Sequence, residues 1–247
     1  MKLRIGIIGL KGGIGKTTIA LHTAFYLSKK YKVLYIDKDF LSMGSLILGF
    51  NGKGFHKAIA DDLGKEEYEY KVNDNLTIFK IYGEPNTEKT FYDIAKFKGE
   101  EKIRSAYLDV VRRNYDVIIV DYGVVFSLKD PIVYDEYELF VNNFSEYVIS
   151  GIGVTSAEME NITSAISYFT RLRTEIAFKP LAFVINMVPQ EPEAQKKLGE
   201  IASKLRGEID CEVLLIPFKE EYLQYKNLGN YEDFIRIGRI VESYLNK

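Results

Sequence analysis

Short apolar runs rich in β-branched residues recur along the chain and constrain its fold more than any other feature. Each run is about as long as a strand and apolar enough to be buried on both faces, which is typical of a parallel sheet. They span residues 3–8, 32–36, 76–81, 116–120, 147–154, 181–185 and 212–216. Segments with helical apolar spacing lie between them, over residues 16–30, 102–114, 157–174, 192–205 and 231–245. This alternation predicts one doubly wound α/β domain over residues 1–247, with a mostly parallel sheet flanked by helices.

The glycine-rich stretch GLKGGIGKTT, residues 9–18, follows the first predicted strand. A general phosphate-binding loop has Gly, four free positions and then Gly-Lys-Ser/Thr, and by this count Leu10 stands where the first glycine belongs. The chain has a second lysine instead, Lys11. Because the stretch joins a buried strand to a helix, its glycines can turn successive N–H groups toward phosphate oxygens at the positive end of the helix dipole. We therefore expect a nucleotide-binding loop.

The residue types in this loop indicate separate roles toward a bound nucleotide. The expected phosphate cradle consists of Gly12, Gly13, Ile14 and Gly15. Lys16 is expected to reach the β- and γ-phosphates, Thr17 to offer its hydroxyl to Mg²⁺, and Thr18 to donate to the α-phosphate. The alternative is an ordinary strand-to-helix turn. The KGGxGKTT pattern would, however, recur by chance on the order of once in 10⁸ sites at average amino-acid usage.

With its extra lysine, the loop resembles that of the deviant-Walker ATPases of the MinD/ParA family, and the resemblance extends over nearly the whole chain. VLYIDKDF, residues 33–40, is similar to the second strand of that family. The resemblance implies that Asp37 assists the Mg²⁺ shell and that Asp39 positions the attacking water, although the pair could instead cap the following helix. DVIIVD, residues 116–121, places Asp121 at a strand end as the Walker B carboxylate that holds a magnesium-bound water. In relatives a proline-containing switch segment follows this aspartate. Here the segment reads Asp121-Tyr122-Gly123-Val124 and has no proline, and Gly123 is expected to sense the γ-phosphate.

The resemblance also implies an adenine site. LAFVINMV, residues 181–188, puts Asn186 after a strand, where the family reads the adenine edge with an amide that can donate and accept. A plain turn residue is the alternative for Asn186. IPFKEEY continues this pocket, so Pro217 and Phe218 are expected near the base. GVTSAEMENI is similar to a strand-to-helix passage that carries Thr-Pro-Glu in relatives, and here it is expected to be structural.

Lys11 has a separate role by the same resemblance. Lys16 already supplies the charge that one nucleotide requires. In the family the extra lysine crosses a dimer interface to the partner's nucleotide, much as a supplied arginine stabilises transition-state charge in other enzymes. The implied catalytic residues are thus Lys11, Lys16 and Asp39. A solvated loop lysine is the alternative for Lys11.

Composition narrows the classes of function. With 33 basic and 35 acidic residues, the net charge of −2 does not indicate a nucleic-acid or membrane surface overall. A single cysteine, Cys211, excludes an internal disulfide and the thiolate pair of iron–sulfur or zinc-dependent relatives. His22 and His56 lack the spacing of metal ligands and are interpreted as structural. No stretch resembles a signal peptide or a membrane span, so we expect a cytoplasmic protein.

The last predicted helix has apolar residues at helical spacing and is interpreted as a core-packing element, so membrane binding is expected to be weak or absent. Its apolar residues are Phe234, Ile237, Val241 and Tyr244. Arg236 and Arg239 could form a DNA patch with Lys196, Lys197, Lys204 and Arg206, but the charge pattern favours a solvated charged face.

These features together predict an ATP- and Mg²⁺-dependent molecular switch. ATP binding is expected to promote a homodimer, slow hydrolysis to dissolve it, and an activating or cargo protein to set the rate. Three alternatives stay open: a partition ATPase that binds nonspecific DNA, a membrane-cycling positioning factor, and a metabolic ATP-dependent ligase of the dethiobiotin-synthetase type.

Overall fold

The β-branched runs lie side by side in one eight-stranded sheet of the computed structural model, which describes residues 1–83 and 91–247. The strands are β1 (Lys2–Ile8), β2 (Val33–Lys38), β3 (Glu69–Lys71), β4 (Leu76–Lys80), β5 (Val117–Tyr122), β6 (Tyr147–Ser156), β7 (Lys179–Val188) and β8 (Glu212–Pro217). Their order across the sheet is β3-β4-β2-β5-β1-β6-β7-β8. Every pair is parallel except β3 and β4, which are antiparallel. The predicted fold class is therefore confirmed.

Helices cover both faces of the sheet. They are α1 (Lys16–Leu27), α2 (Met43–Ile47), α3 (Phe55–Ala60), α4 (Phe91–Lys98), α5 (Glu100–Val111), α6 (Pro131–Val141), α7 (Met159–Glu175), α8 (Pro192–Ile209) and α9 (Glu232–Leu245). One apolar core packs α1 and α9 against one face of the sheet. A second core packs α3 and α5 through α8 against the other face.

Five helices match the predicted segments, with ends shifted by a few residues. The sequence did not predict α2, α3, α4, α6 or the edge strand β3. β3 has three residues and α2 five, too few for a periodic signal. β6 extends to Ser156, two residues beyond the predicted end, because Thr155 and Ser156 continue the pairing with β7.

The two cores separate the basic residues of the possible DNA patch. Lys196, Lys197, Lys204 and Arg206 belong to α8, whereas Arg236 and Arg239 belong to α9. Because α8 and α9 pack on opposite faces of the sheet, these six residues do not form one continuous patch. Arg206 and Arg239 are also paired, with Glu212 and Glu232 respectively.

Candidate nucleotide-binding site

The residue 9–18 loop connects the end of β1 to the first turn of α1. Gly13 and Gly15 have φ values of 73° and 91°, in the left-handed region that favours glycine. A side chain at Gly15 would also collide with the Asn186 amide. Ile14 is buried beneath the loop and anchors it to the core. The local sequence therefore shapes this turn in the way that the loop motif predicts.

Lys16 and the two threonines begin α1 on the cleft side of the loop. The Lys16 side chain is 7% exposed, and its amine donates to the Lys11 carbonyl at 2.7 Å. Burial lowers the pKa of Lys16, and nearby Asp121 and Asp39 partly offset that effect. The Thr18 hydroxyl lies 3.1 Å from the Tyr225 hydroxyl. A phosphate bound by Lys16 would replace the neutral Lys11 carbonyl acceptor with an anionic one.

Two carboxylates meet at the ends of neighbouring strands, because the β2–β5 register pairs Asp37 with Asp121. Both are fully buried. Asp37 Oδ2 accepts hydrogen bonds from the Ser45 N–H at 2.7 Å and from the Ser45 hydroxyl at 2.6 Å. Asp121 Oδ2 accepts one from the Tyr35 hydroxyl at 2.7 Å. Burial raises the pKa of Asp37 to about 6 and that of Asp121 to about 7, the latter with a further contribution from Asp37.

This carboxylate pair fits a magnesium ion. Asp121 Oδ1 is buried and accepts no hydrogen bond from the described residues. The Thr17 hydroxyl is close enough to lower the pKa of Asp121, against the effect of burial. The described residues contain no group of three or more acidic, His or Cys side chains placed to hold a metal. Mg²⁺ does not need one, since it is usually held by one or two carboxylates together with substrate phosphates.

Asp39 lies at the cleft, directly against Gly123. A Cβ built on Gly123 would be 2.7 Å from Asp39 Oδ1, so only glycine permits this approach. Asp39 is half-buried, and its carbonyl accepts a hydrogen bond from the Ser42 N–H at 2.8 Å. The segment after β5 therefore touches the carboxylate predicted to position water, even though it lacks the proline of the family switch.

A cleft of about 350 Å³ opens in front of the loop. Its lining includes the predicted Gly12, Gly13, Gly15, Lys16, Thr17, Thr18, Asp39 and Gly123. Met187, Leu223 and Tyr225 also line the cleft. Pro217 and Phe218 do not belong to this lining, and their place near the base stays a prediction. β8 ends at Pro217, and the following turn, rather than the strand end, covers the cleft.

Asn186 lies under the loop rather than facing the cleft. It is 7% exposed, and its Nδ2 donates to the Ile14 carbonyl at 2.9 Å. This contact fastens the loop to the end of β7. A role of Asn186 toward adenine stays a prediction.

The Lys11 side chain extends toward α7 rather than toward the cleft. It is exposed, is not in the cleft lining, and its amine donates to Asn161 Oδ1 on α7. The Asn161 amide donates in turn to the Ser156 hydroxyl at 2.8 Å and to Glu158 at 2.9 Å. Ser156 and Glu158 thus order the start of α7, in agreement with the structural role expected for this passage.

Sequence reasoning missed several residues of the site, namely Tyr35, Ser45, Asn161, Met187, Leu223 and Tyr225. Tyr35 carried a usable signal: residues two apart in a strand share a face, so Tyr35 lies on the same face as Asp37. Ser45 and Tyr225 carried none, because their contacts depend on how α2 and the 220–225 turn fold back over the strand ends.

A glycine-rich loop around a buried lysine, with carboxylates at the ends of two adjoining strands, defines a P-loop nucleotide-binding protein. The chain belongs to the CobQ/CobB/MinD/ParA nucleotide binding domain family, whose model matches residues 5–227. The predicted family is therefore confirmed.

Known proteins are similar to this chain over most of their length. An uncharacterized protein of Methanocaldococcus jannaschii is 26% identical over 211 residues, 80% of this chain and 78% of that protein. A putative plasmid partition protein of Borrelia burgdorferi B31, bound to AMPPNP, is 19% identical with a TM-score of 0.69, covering 99% of this chain and 98% of that one. The septum site-determining protein MinD of Pyrococcus horikoshii OT3, complexed with Mg-ADP, is 20% identical with a TM-score of 0.65, covering 99% and 97%.

Proposed function

We propose that this protein is a Mg-ATP-dependent switch that dimerises on ATP binding, hydrolyses ATP slowly and so controls the positioning or partition of a cargo. The observation that carries the proposal is the different placement of the two loop lysines. Lys16 is buried at the cleft, whereas Lys11 is exposed, outside the cleft lining and bonded to α7. An amine placed in this way is suited to a nucleotide bound by another subunit.

Within one subunit, the cleft residues divide the work of binding and hydrolysis. The loop N–H groups and Lys16 would hold the phosphates, and Thr17, Asp37 and Asp121 would hold Mg²⁺ directly or through its water ligands. The bound ion would neutralise phosphate charge and orient the γ-phosphate. Asp39, held against Gly123, would orient the attacking water.

The rim of the cleft supports dimerisation. Four apolar side chains of the cleft lining are strongly exposed: Leu41 (60%), Met43 (42%), Val124 (41%) and Leu223 (56%). Apolar side chains grouped at a functional site commonly mark an interface. A second copy placed over the cleft would cover them and bring its own Lys11 toward the nucleotide.

Family membership alone does not separate the alternatives, because the family description joins CobQ and CobB with MinD and ParA. A metabolic ligase would use the same phosphate loop without needing Lys11. A partition ATPase would use Lys11 and bind DNA as well. The role of Lys11 therefore distinguishes a switch from a ligase.

Two lysine variants test the proposal. Lys16→Ala should abolish the ATP-induced rise in melting temperature, because ligand binding to the native state stabilises it by about 2.7 kcal/mol at 100 times Kd. Lys11→Ala should keep that rise but lose hydrolysis by roughly tenfold or more, because the charge supplied across the interface is missing. Melting scans measure the ATP-induced rise, and phosphate release measures hydrolysis.

A third variant, Asp39→Ala, tests the residue proposed to orient the attacking water. It should form the ATP-dependent dimer, detected by light scattering, but not turn ATP over. Parent-rate hydrolysis by a monomeric Lys11→Ala protein would contradict the switch and favour the ligase.

A further inference from the structure

Tyr35 links β2, which carries Asp37, to β5, which carries Asp121, by a hydrogen bond inside the core. Its ring is fully buried on β2, and its hydroxyl reaches the neighbouring strand β5 to donate to Asp121 Oδ2 at 2.7 Å. α2 provides the room for this hydroxyl, since a Cβ at Gly44 would collide with it. A phenylalanine would fill the same apolar space, so the hydroxyl serves the carboxylate rather than the packing.

The other carboxylate is held in a matching way. Ser45, next to Gly44 in α2, donates twice to Asp37 Oδ2. Asp37 Oδ1 has only a long contact of 3.4 Å with the Asp39 N–H, and Asp121 Oδ1 accepts no hydrogen bond from the described residues. In both carboxylates, protein donors therefore fix Oδ2 and leave Oδ1 available.

We propose that Tyr35 is a positioning residue for magnesium: its hydroxyl fixes the Asp121 carboxylate so that Oδ1 is presented to the Mg²⁺ shell. This inference rests on the proposed Mg-ATP function. Hydrogen-bond partners behind a metal-binding carboxylate orient it, and their loss costs about 10- to 100-fold in metal affinity or activity. Tyr35 is such a partner, and it acts through Asp121 without touching the ion.

Tyr35→Phe tests the inference by removing one oxygen atom. Tyr147→Phe is the matched control, since Tyr147 is also buried on a strand and donates to a backbone carbonyl, that of Tyr115, at 2.6 Å. The measurement is equilibrium binding of a fluorescent ADP analogue at increasing Mg²⁺, compared with binding in EDTA. For Tyr35→Phe the Mg²⁺ midpoint should rise by about 10- to 100-fold while affinity in EDTA stays at the parent value. Tyr147→Phe should leave both unchanged.

A double-mutant cycle separates positioning from general packing. In an Asp121→Asn background the carboxylate is already lost, so adding Tyr35→Phe should not move the midpoint further. A further shift of the Mg²⁺ midpoint in that background would overturn the inference. A parent-like midpoint for Tyr35→Phe alone would also overturn it. Both results would leave the proposed function standing. A parent protein whose nucleotide binding ignores Mg²⁺ would overturn the inference and the proposed function together.

Discussion

At the scale of single residues, Asp37 and Asp121 place charge where water cannot reach it. Their pKa values, about 6 and about 7, lie above the value near 4 of an unfolded chain. The folded protein therefore binds these protons more tightly than the unfolded chain does. The stability that the two groups contribute is present below about pH 4 and is lost as pH rises through their folded-state pKa values.

Removing one of these charges should stabilise the protein. Without Mg²⁺ or nucleotide at pH 8, we expect Asp121→Asn to raise the free energy of unfolding by roughly 2–4 kcal/mol. The amide oxygen can still accept the Tyr35 hydrogen bond. At pH 4 the gain should be small, because the parent carboxyl is then protonated in the folded state and about half protonated in the unfolded chain. Urea unfolding at the two pH values measures this, with the exposed Asp109→Asn as control. If the parent and Asp121→Asn are equally stable at pH 8, the buried Asp121 carboxylate does not destabilise the folded protein, which would contradict this account.

Much of the cleft could be predicted from the sequence because its residues are adjacent in the chain or stand at strand ends. Lys16 and Thr17 follow from the loop motif, and Asp37 and Asp121 from their place after buried runs. The direction of the Asn186 amide could not be predicted, since it depends on the space that Gly15 leaves. That Leu223 and Tyr225, rather than Pro217 and Phe218, line the cleft could not be predicted, because the path of the chain beyond β8 is not encoded in a local pattern.

At the scale of elements, β2 is tied to α6 by a buried ionic cluster. Lys38, between Asp37 and Asp39, donates to the Val133 carbonyl at 2.8 Å and to Glu136 at 3.1 Å. Arg4 of β1 forms a bidentate pair with Glu136, at 3.0 and 2.8 Å, and the Tyr107 hydroxyl donates to the same carboxylate. Burial alone would raise the pKa of Glu136, but Arg4 and Lys38 outweigh it and hold the pKa well below its ordinary range.

The two members of this cluster should differ in their effect on stability. Glu136→Ala leaves two buried cations unpaired and should lower the free energy of unfolding by about 3–5 kcal/mol. Lys38→Met leaves the Arg4–Glu136 pair balanced and should cost about 1 kcal/mol or less. Urea unfolding at pH 7 distinguishes them. Because the folded-state pKa of Glu136 is depressed, its contribution is present above the unfolded value near 4.5 and is lost as pH falls below it. A larger loss for Lys38→Met than for Glu136→Ala would contradict this account.

α9 confirms the prediction of a core-packing final helix. Phe234, Ile237 and Val241 are buried as expected, and Leu245 rather than the half-buried Tyr244 ends the apolar face. His22 of α1 stacks on Phe234 at 4.0 Å between ring centroids. Its Nδ1 accepts a hydrogen bond from the Gly229 N–H at 3.1 Å, and burial lowers its pKa to about 4. A neutral, packed imidazole matches the structural role that the sequence predicts for His22.

Strands and long helices were predictable for a common reason: each repeats its apolar pattern over several residues. α6 was missed although it spans eleven residues, because its segment follows directly on the irregular stretch after β5. The buried charge of Glu136 also interrupts the apolar face of α6. Arg4 of β1 and Lys38 of β2 compensate this charge, and neither can be recognised from the α6 sequence.

At the scale of the whole molecule, charge is spread over both faces of the sheet. The exposed lysines of α8 are separated from the arginines of α9 by the sheet itself. Among the described residues, none of the helices has the length and apolar character of a membrane span. Affinity for polyanions must therefore come from one face at a time, which limits how many phosphates the protein can neutralise.

We accordingly expect only weak ATP-dependent retention on DNA at about 0.15 M salt, falling steeply as salt increases. Reversing the charge of the three α8 lysines, Lys196, Lys197 and Lys204, should reduce retention on DNA only slightly. Reversing the charge of three lysines exposed elsewhere, Lys53, Lys65 and Lys129, should reduce retention by as much. Retention on DNA-coated and anionic lipid surfaces, with and without ATP, measures this. A selective loss with the α8 set would identify α8 as a DNA surface and favour a partition ATPase.

The cleft wall has a consequence for how this protein would evolve under selection for stability. Met187 and Tyr225 have φ values of 57° and 51°, a left-handed conformation that costs a residue with a side chain about 1–2 kcal/mol. Glycine would adopt it at little cost. Laboratory selection for heat resistance alone should therefore enrich glycine at Met187, whereas selection that also requires nucleotide binding should retain the larger residue. Tyr225 should persist under either selection, because its ring packs against the core.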